Sequence, residues 1–215
     1  MKYTTIIFDL DGTLLNTLAD LAAATNHALA EHKLPQRTTD EVRLFVGNGI
    51  RKLIERAVPA DTPAELQEEV FASFNKYYKQ HCADSTRPYE GVLQLLQQLR
   101  TASCRTAIVS NKADYGVQAL AKQYFDGQLD AACGERAGIA KKPAPDMLLA
   151  IMQQLKAEPA STIYIGDSDT DIATASNAGV ACIGACWGFR GRAFLEAHGA
   201  KLLAENVSDI WELIK

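Results

Sequence analysis

Asp9 and Asp11 stand on either side of Leu10, directly after the apolar run Thr4 to Phe8. That run reads as a short buried strand, and Gly12 lets the chain turn sharply behind it. The period-two geometry of a strand can aim both carboxylates into one site at its tip. Held about 4 Å apart at an effective dielectric near 20, two such charges repel by about 4 kcal/mol. A pair like this calls for a cation, a shared proton or water between its members.

Three other stretches carry groups of matching chemistry. Ile165-Gly166-Asp167-Ser168-Asp169-Thr170-Asp171 places three carboxylates behind a second apolar run, and hard oxygen donors of this kind suit Mg²⁺. Aspartate also stabilises the N-terminus of a helix, which is an alternative reason for Asp169 or Asp171 to be there. Asp167 falls at the strand tip and is the stronger ligand candidate. Ile108-Val109-Ser110-Asn111-Lys112 ends a strand in a hydroxyl and an amide, which on their own signify a turn or a cap. Lys141-Lys142-Pro143 puts cations just before a helix; on its own such a pair is solvated. Ligands of open α/β sheets bind beyond the carboxyl ends of the strands. Three of the four stretches lie at such ends, and the fourth supplies a cation.

The elements that must position these residues follow from periodicity. Residues 17–33 read as a helix, with Leu18, Leu21, Ala22, Thr25, Ala28 and Leu29 on one face. Thr38 to Glu41 has the form of a capping box and opens a helix toward Val46. Gly47-Asn48-Gly49 breaks that helix, Ile50 to Val58 resumes, and a long helix runs from Pro63 to about His81. Beyond Pro88, helices and strands alternate: helix about Val92–Leu99, strand 105–109, helix 113–124, strand 129–133, helix 145–156, strand 162–165, helix 170–178, strand 181–185, helix 191–198 and strand 201–203. Alternation of this kind implies a parallel sheet covered on both faces. The expected fold class is α/β, a parallel-sheet, Rossmann-like core of residues 1–16 and 83–215 with a helical cap, 17–82, inserted after the first strand.

Composition narrows the function. The chain has 215 residues, 47% of them apolar, and a formal charge of −4, so it can bury a core and its surface is not that of a nucleic-acid binder. No apolar run approaches transmembrane length, and the start lacks a long apolar signal region. Five cysteines, Cys82, Cys104, Cys133, Cys182 and Cys186, form no Cys-x-x-Cys and read as buried free thiols of a reducing cytoplasm. His27, His32, His81 and His198 have no ligand spacing. Neither a nucleic acid nor a membrane is expected as a partner.

The four stretches taken together resemble the haloacid-dehalogenase superfamily of phosphohydrolases across essentially the whole chain. Asp9 to Asn26, with the turn at Gly47-Asn48-Gly49, resembles its phosphoglycolate phosphatase-like members; Asn16 replaces an aspartate that many of them carry. The resemblance implies a central first strand flanked by the Ser110 strand and the Asp167 strand. It implies Asp9 as nucleophile forming an aspartyl-phosphate, Asp11 as general acid and then base, and Lys142 neutralising charge on Asp9 and the phosphate. Mg²⁺ would be held by Asp9, the Asp11 carbonyl and Asp167, with Asp171 acting through water or from behind. Ser110, the backbone of Asn111 and Lys142 would meet the phosphoryl oxygens beside Gly12 and Thr13. Gly47, Asn48 and Arg51 are the substrate candidates of the cap, Arg51 or Lys52 for a substrate carboxylate. Independently, a carboxylate approaches a phosphate dianion only with positive charge beside it, and one Mg²⁺ with one Lys would supply about three units of it.

Asp11 favours phosphoryl transfer over carbon–halogen cleavage, and the leading substrate is 2-phosphoglycolate. A pyrophosphatase or broad sugar-phosphate phosphatase shares every core residue. A phosphosugar mutase, a phosphonate hydrolase using Lys52 as a Schiff base, and a non-catalytic phospholigand-binding module are further alternatives. Trp187-Gly188-Phe189-Arg190 could wall the cleft or contribute a core aromatic pair.

Overall fold

The computed structural model describes residues 1–215. The strands are β1 (Thr5–Phe8), β2 (Leu15–Asn16), β3 (Arg87–Pro88), β4 (Arg105–Ala113), β5 (Ala131–Glu135), β6 (Thr162–Gly166), β7 (Ala181–Ala185) and β8 (Leu202–Ala204). The helices are α1 (Leu18–Glu31), α2 (Thr39–Phe45), α3 (Ile50–Ala57), α4 (Ala64–His81), α5 (Val92–Thr101), α6 (Asp114–Phe125), α7 (Asp146–Gln154), α8 (Asp169–Ala178), α9 (Arg192–Ala197) and α10 (Asp209–Ile214). The chain divides into two compact units, Met1–Leu15 with Pro88–Lys215, and Asn16–Arg87.

The first unit is built on a six-stranded sheet in the order β5-β4-β1-β6-β7-β8, with every adjacent pair parallel. This is the α/β, Rossmann-like architecture expected from the alternation of strands and helices. All four residues of β1 are buried, as a strand covered on both faces requires. On one face Ile7, Ala107, Val109 and Tyr164 pack with Met147, Leu148, Ile151 and Ala175 of α7 and α8. Register is what matters for the site. Phe8 pairs with Ile108 of β4 and with Ile165 of β6, so the three strands are in step where β1 ends. Asp9, Ser110 and Asp167, each following within two residues, emerge together at the carboxyl end of the sheet.

Several boundaries differ from the sequence reading. β4 runs on through Ser110-Asn111-Lys112 to Ala113, with its register to β5 shifting between Val109 and Ala113. β5 begins at Ala131 rather than 129, because Asp130 is held apart by its own bonds, its backbone N–H to Thr106 O and its carboxylate accepting from Thr106 N. The short strands β2 and β3 and the last helix, α10, had no periodic signal; α10 is six residues long and buries only Ile210 and Ile214. The five cysteines are all free, but only Cys104 and Cys133 are buried; Cys82, Cys182 and Cys186 are half-buried.

The second unit is four helices. Leu18, Leu21, Ala22, Ala24, Ala28 and Leu29 of α1 are buried, as are Val70, Phe74 and Tyr78 of α4. The capping box of α2 has both halves: Thr38 Oγ1 accepts from Glu41 N, and Glu41 accepts from Thr38 N. His27, Tyr77 and His81 form a stack. Residues 83–87 cluster with the helices because Asp20 holds them: its buried carboxylate accepts from Ser85 N at 2.9 Å, Thr86 N at 2.8 Å and Thr86 Oγ1 at 2.7 Å. No helix of the protein is long and apolar enough to cross a membrane. Replacing Asp20 with Ala strips a buried acceptor from three donors. Urea melting should show a loss of about 2–3 kcal/mol; a loss below about 0.5 kcal/mol contradicts this account of the segment.

Candidate active site

Lys142 is the hub of this end of the sheet. It is 3% exposed, and its ammonium lies 2.8 Å from Asp9 Oδ1, 2.7 Å from Asp171 Oδ1 and 3.0 Å from the Tyr164 hydroxyl. Burial alone would depress such an ammonium. Asp171 and Asp9 outweigh it and hold the group above the ordinary lysine range. Tyr164, on β6, donates its hydroxyl to Val109 O, and burial with Asp171 and Asp9 beside it keeps the phenol neutral. The segment bearing Lys142 is pinned by Asn111: its amide donates to Lys142 O at 3.0 Å and accepts from Lys142 N at 2.8 Å. The side chain of Asn111 therefore holds the lysine in place.

Asp171 has both oxygens engaged by protein donors. Oδ1 accepts from Lys142 and lies 3.1 Å from the Tyr164 hydroxyl, while Oδ2 accepts from Ser168 N and Ser168 Oγ at the start of α8. Its carboxylate caps a helix and anchors the lysine at once. Asp167 is held from the other side. Its Oδ2 accepts from Phe189 N at 2.7 Å, and the Trp187 indole donates to Thr13 O at 3.0 Å. The 187–190 stretch thus walls the site rather than joining the core; Trp187 and Phe189 stay half-buried. Close approach here demands glycine. A Cβ on Gly12, which has φ +87°, would fall 2.3 Å from Asp167 Oδ2, and one on Gly188 would fall 2.2 Å from Asp167 Cβ. Thr13 is fully buried, and its Oγ1 has no hydrogen-bond partner.

The electrostatics of this cluster are unbalanced. Four carboxylates, Asp9, Asp11, Asp167 and Asp171, meet two ammonium groups, Lys112 and Lys142. Burial, opposed by Lys142 and reinforced by Asp171, pushes Asp9 up to about 7. Burial, with Asp171 and Asp9 adding to it, raises Asp167 well above the carboxylate range. Carboxylate oxygens of Asp9, Asp167 and Asp171 lie within 4.8 Å of one another. A donor set of hard oxygens carrying two surplus negative charges fits a divalent cation.

The resemblance brought Asp9, Asp11, Gly12, Thr13, Ser110, Asn111, Lys142, Asp167 and Asp171 together, and all lie in the first unit, around this end of the sheet. Ser110 is buried, and its Oγ accepts from Lys112 N at 3.3 Å. Gly47, Asn48 and Arg51 lie in the helical unit. Gly47, Asn48 and Gly49 have consecutive positive φ of 113°, 64° and 87°, and Arg56 staples the turn, donating to Phe45 O, Gly47 O and Asn48 Oδ1. Arg51 is ion-paired with Glu68 and lies over the Phe71 ring, while Lys52 pairs with Glu55. Sequence reasoning gave no role to Lys112 or Tyr164. Tyr164 had a signal, since a phenol inside a buried strand must find a partner; Lys112 had none, because it lies beyond the strand expected at 105–109.

A family model of haloacid dehalogenase-like hydrolases matches residues 6–185. The chain belongs to this family. A phosphoglycolate phosphatase of Pseudomonas putida is 34% identical over 210 residues, covering 94% of this chain and 74% of that protein. The pyrophosphatase PpaX of Bacillus mycoides is 28% identical over 219 residues, covering 100% and 98%. A crystal structure from Lactobacillus delbrueckii subsp. bulgaricus is 34% identical with a TM-score of 0.94, covering 100% of this chain and 99% of that one. Within this haloacid dehalogenase-like hydrolase, the burden of charge has a measurable consequence. A carboxyl raised to about 7 when folded but near 3.8 when unfolded stabilises the fold fully only below about pH 4, and that stability drains away as pH rises to about 7. In EDTA, urea melts should show stability falling across this window, by at most about 4 kcal/mol. Asp9→Asn should flatten the fall; an equal slope in that variant would assign the effect elsewhere.

Proposed function

We propose that this hydrolase is a Mg²⁺-dependent phosphatase of a small phosphorylated metabolite, with 2-phosphoglycolate the leading substrate. The observation that carries the reading is the Asp9 carboxylate at the tip of the central strand, backed by the buried Lys142 ammonium at 2.8 Å. Phosphatase relatives at similar identity support it, the one from Pseudomonas putida among them. The Asp9 and Asp167 carboxylates and the Asp11 carbonyl would hold the ion, with Asp171 behind them holding Lys142. Bound there, Mg²⁺ would supply the positive charge that lets an anionic ester approach a carboxylate.

The chain's own residues account for the rest. Asp9 attacks phosphorus, forming a bond from its carboxylate oxygen as the bond to the leaving alkoxide breaks. Asp11 hands that alkoxide a proton. In the second half Asp11 takes a proton from water as water attacks the phosphorus of the aspartyl-phosphate, releasing Asp9 as a carboxylate and inorganic phosphate. Lys142 remains an ammonium, because Asp171, the stronger of the two charges that hold it, stays in place when Asp9 is esterified. Ser110 and the backbone of Asn111 receive the phosphoryl oxygens beside Gly12 and Thr13, whose own N–H groups already donate to Leu15 O and Leu10 O. Choice among esters is assigned to Gly47, Asn48 and Arg51 of the helical unit. Arg51 would have to exchange Glu68 for a substrate carboxylate, so Glu68→Gln should lower KM for 2-phosphoglycolate if it does so.

The test is phosphate release from 2-phosphoglycolate, pyrophosphate, hexose phosphates and nucleotides, with Mg²⁺ and with EDTA. Release should need the metal and should favour 2-phosphoglycolate. A strong preference for pyrophosphate, the reading that the PpaX likeness favours, would replace the substrate and keep the chemistry. Asp9→Asn should lower kcat at least ~10³-fold without loss of fold. Retention of a tenth of wild-type turnover removes Asp9 as nucleophile.

A further inference from the structure

Asp11 does not stand free in the site. The ammonium of Lys112 lies 3.0 Å from Asp11 Oδ1 and donates to it. The Lys112 side chain is only 2% exposed, against 16% for that of Asp11. Its backbone N–H bonds Ser110 Oγ, so the lysine leaves the strand from a fixed point. Its stem runs past Gly116 of α6, where a Cβ would meet Lys112 Cε at 3.4 Å. The lysine stem therefore packs directly against the first turn of α6. A buried ammonium held to one oxygen of one carboxylate is a device for orientation.

We infer that Lys112 is a positioning residue for Asp11: it occupies Oδ1, leaving Oδ2 as the oxygen that gives and takes the proton. The inference rests on the proposed acid–base role of Asp11. Lys112 would also keep Asp11 from turning toward Lys142, the other ammonium of the site. The two cations are thereby divided between the two acids of the first loop, Lys142 to Asp9 and Lys112 to Asp11. Lys112 itself transfers no proton and touches no substrate in this account.

The leaving group separates this role from a merely structural one. An alkoxide needs a proton as it departs, whereas 4-nitrophenolate leaves without one. The value of kcat/KM reports the first phosphoryl transfer, where only the acid step distinguishes the two esters. Lys112→Met should therefore lose roughly tenfold or more in kcat/KM on 2-phosphoglycolate or another active alkyl ester, relative to its loss on 4-nitrophenyl phosphate. The ratio of the two is independent of how much of the variant is folded. Lys112→Gln carries the same test should the methionine variant not accumulate, and Lys112→Arg should bring the ratio back toward wild type. An unchanged ratio in the methionine and glutamine variants overturns the inference. Asp11→Asn, measured in parallel, keeps the two readings apart. If it too leaves the ratio unchanged, the acid role of Asp11 is what fails; if it shifts the ratio and the lysine variants do not, the error lies with Lys112.

Discussion

Repulsion among buried carboxylates is the constraint from which the rest of this molecule takes its form. Asp9, Asp167 and Asp171 are each nine-tenths or more buried, and no fold gathers three such groups without an opposing charge. Lys142 answers two of them directly. The segment that brings it is not part of the sheet and needs its own fastenings, which Asn111 and Tyr164 provide. The ammonium is thus specified by residues on β4, β6 and α8, three elements that must assemble before it has a place. Parallel pairing of β1 with both β4 and β6 makes that assembly definite, because a slip of one residue would turn every one of these side chains to the wrong face.

The same constraint explains why the site has the partners it has. Each carboxylate oxygen not facing the centre is given a donor from the protein: Phe189 N for Asp167, Ser168 for Asp171, Lys112 for Asp11. Donors of this kind fix direction as well as charge. What is left facing the centre is a set of oxygens without enough protons or cations to satisfy them, and such a set is a receptor for positive charge and for the oxyanions that travel with it.

Much of this was legible in the sequence, and the division between legible and hidden is physical. Strand tips are local: an apolar run, then a charge, then a glycine. Asp9, Asp11 and Asp167 could therefore be placed from a few neighbouring residues each. The alternation of helices and strands likewise revealed the sheet and the helical insertion, since periodicity is a property of short windows. Partnership is not local. Lys112 meets a residue 101 positions away, and Asn111 meets one 31 positions away, and nothing in either neighbourhood names the partner. Asn111 was legible as a polar group at a strand end but not as the clamp on Lys142. Asp171 read as a ligand or a helix cap, and its geometry shows the cap and the lysine anchor together. Arg51 was legible as a cation, while Glu68, which engages it, lies on a different helix. The helix at 209–214 escaped because six residues give too little periodicity to stand above loop sequence.

Gly12, Gly166 and Gly188 come from three separate parts of the chain and press against the same two acids; a Cβ at 166 would lie 2.3 Å from Asp171 Cγ. None of the three has room for a side chain, and making room at one means displacing an acid that the other segments also touch. Stepwise change at any of these three positions is therefore closed. The three glycines are thus tied to one another through the acids they touch, although the chain brings them from three separate places.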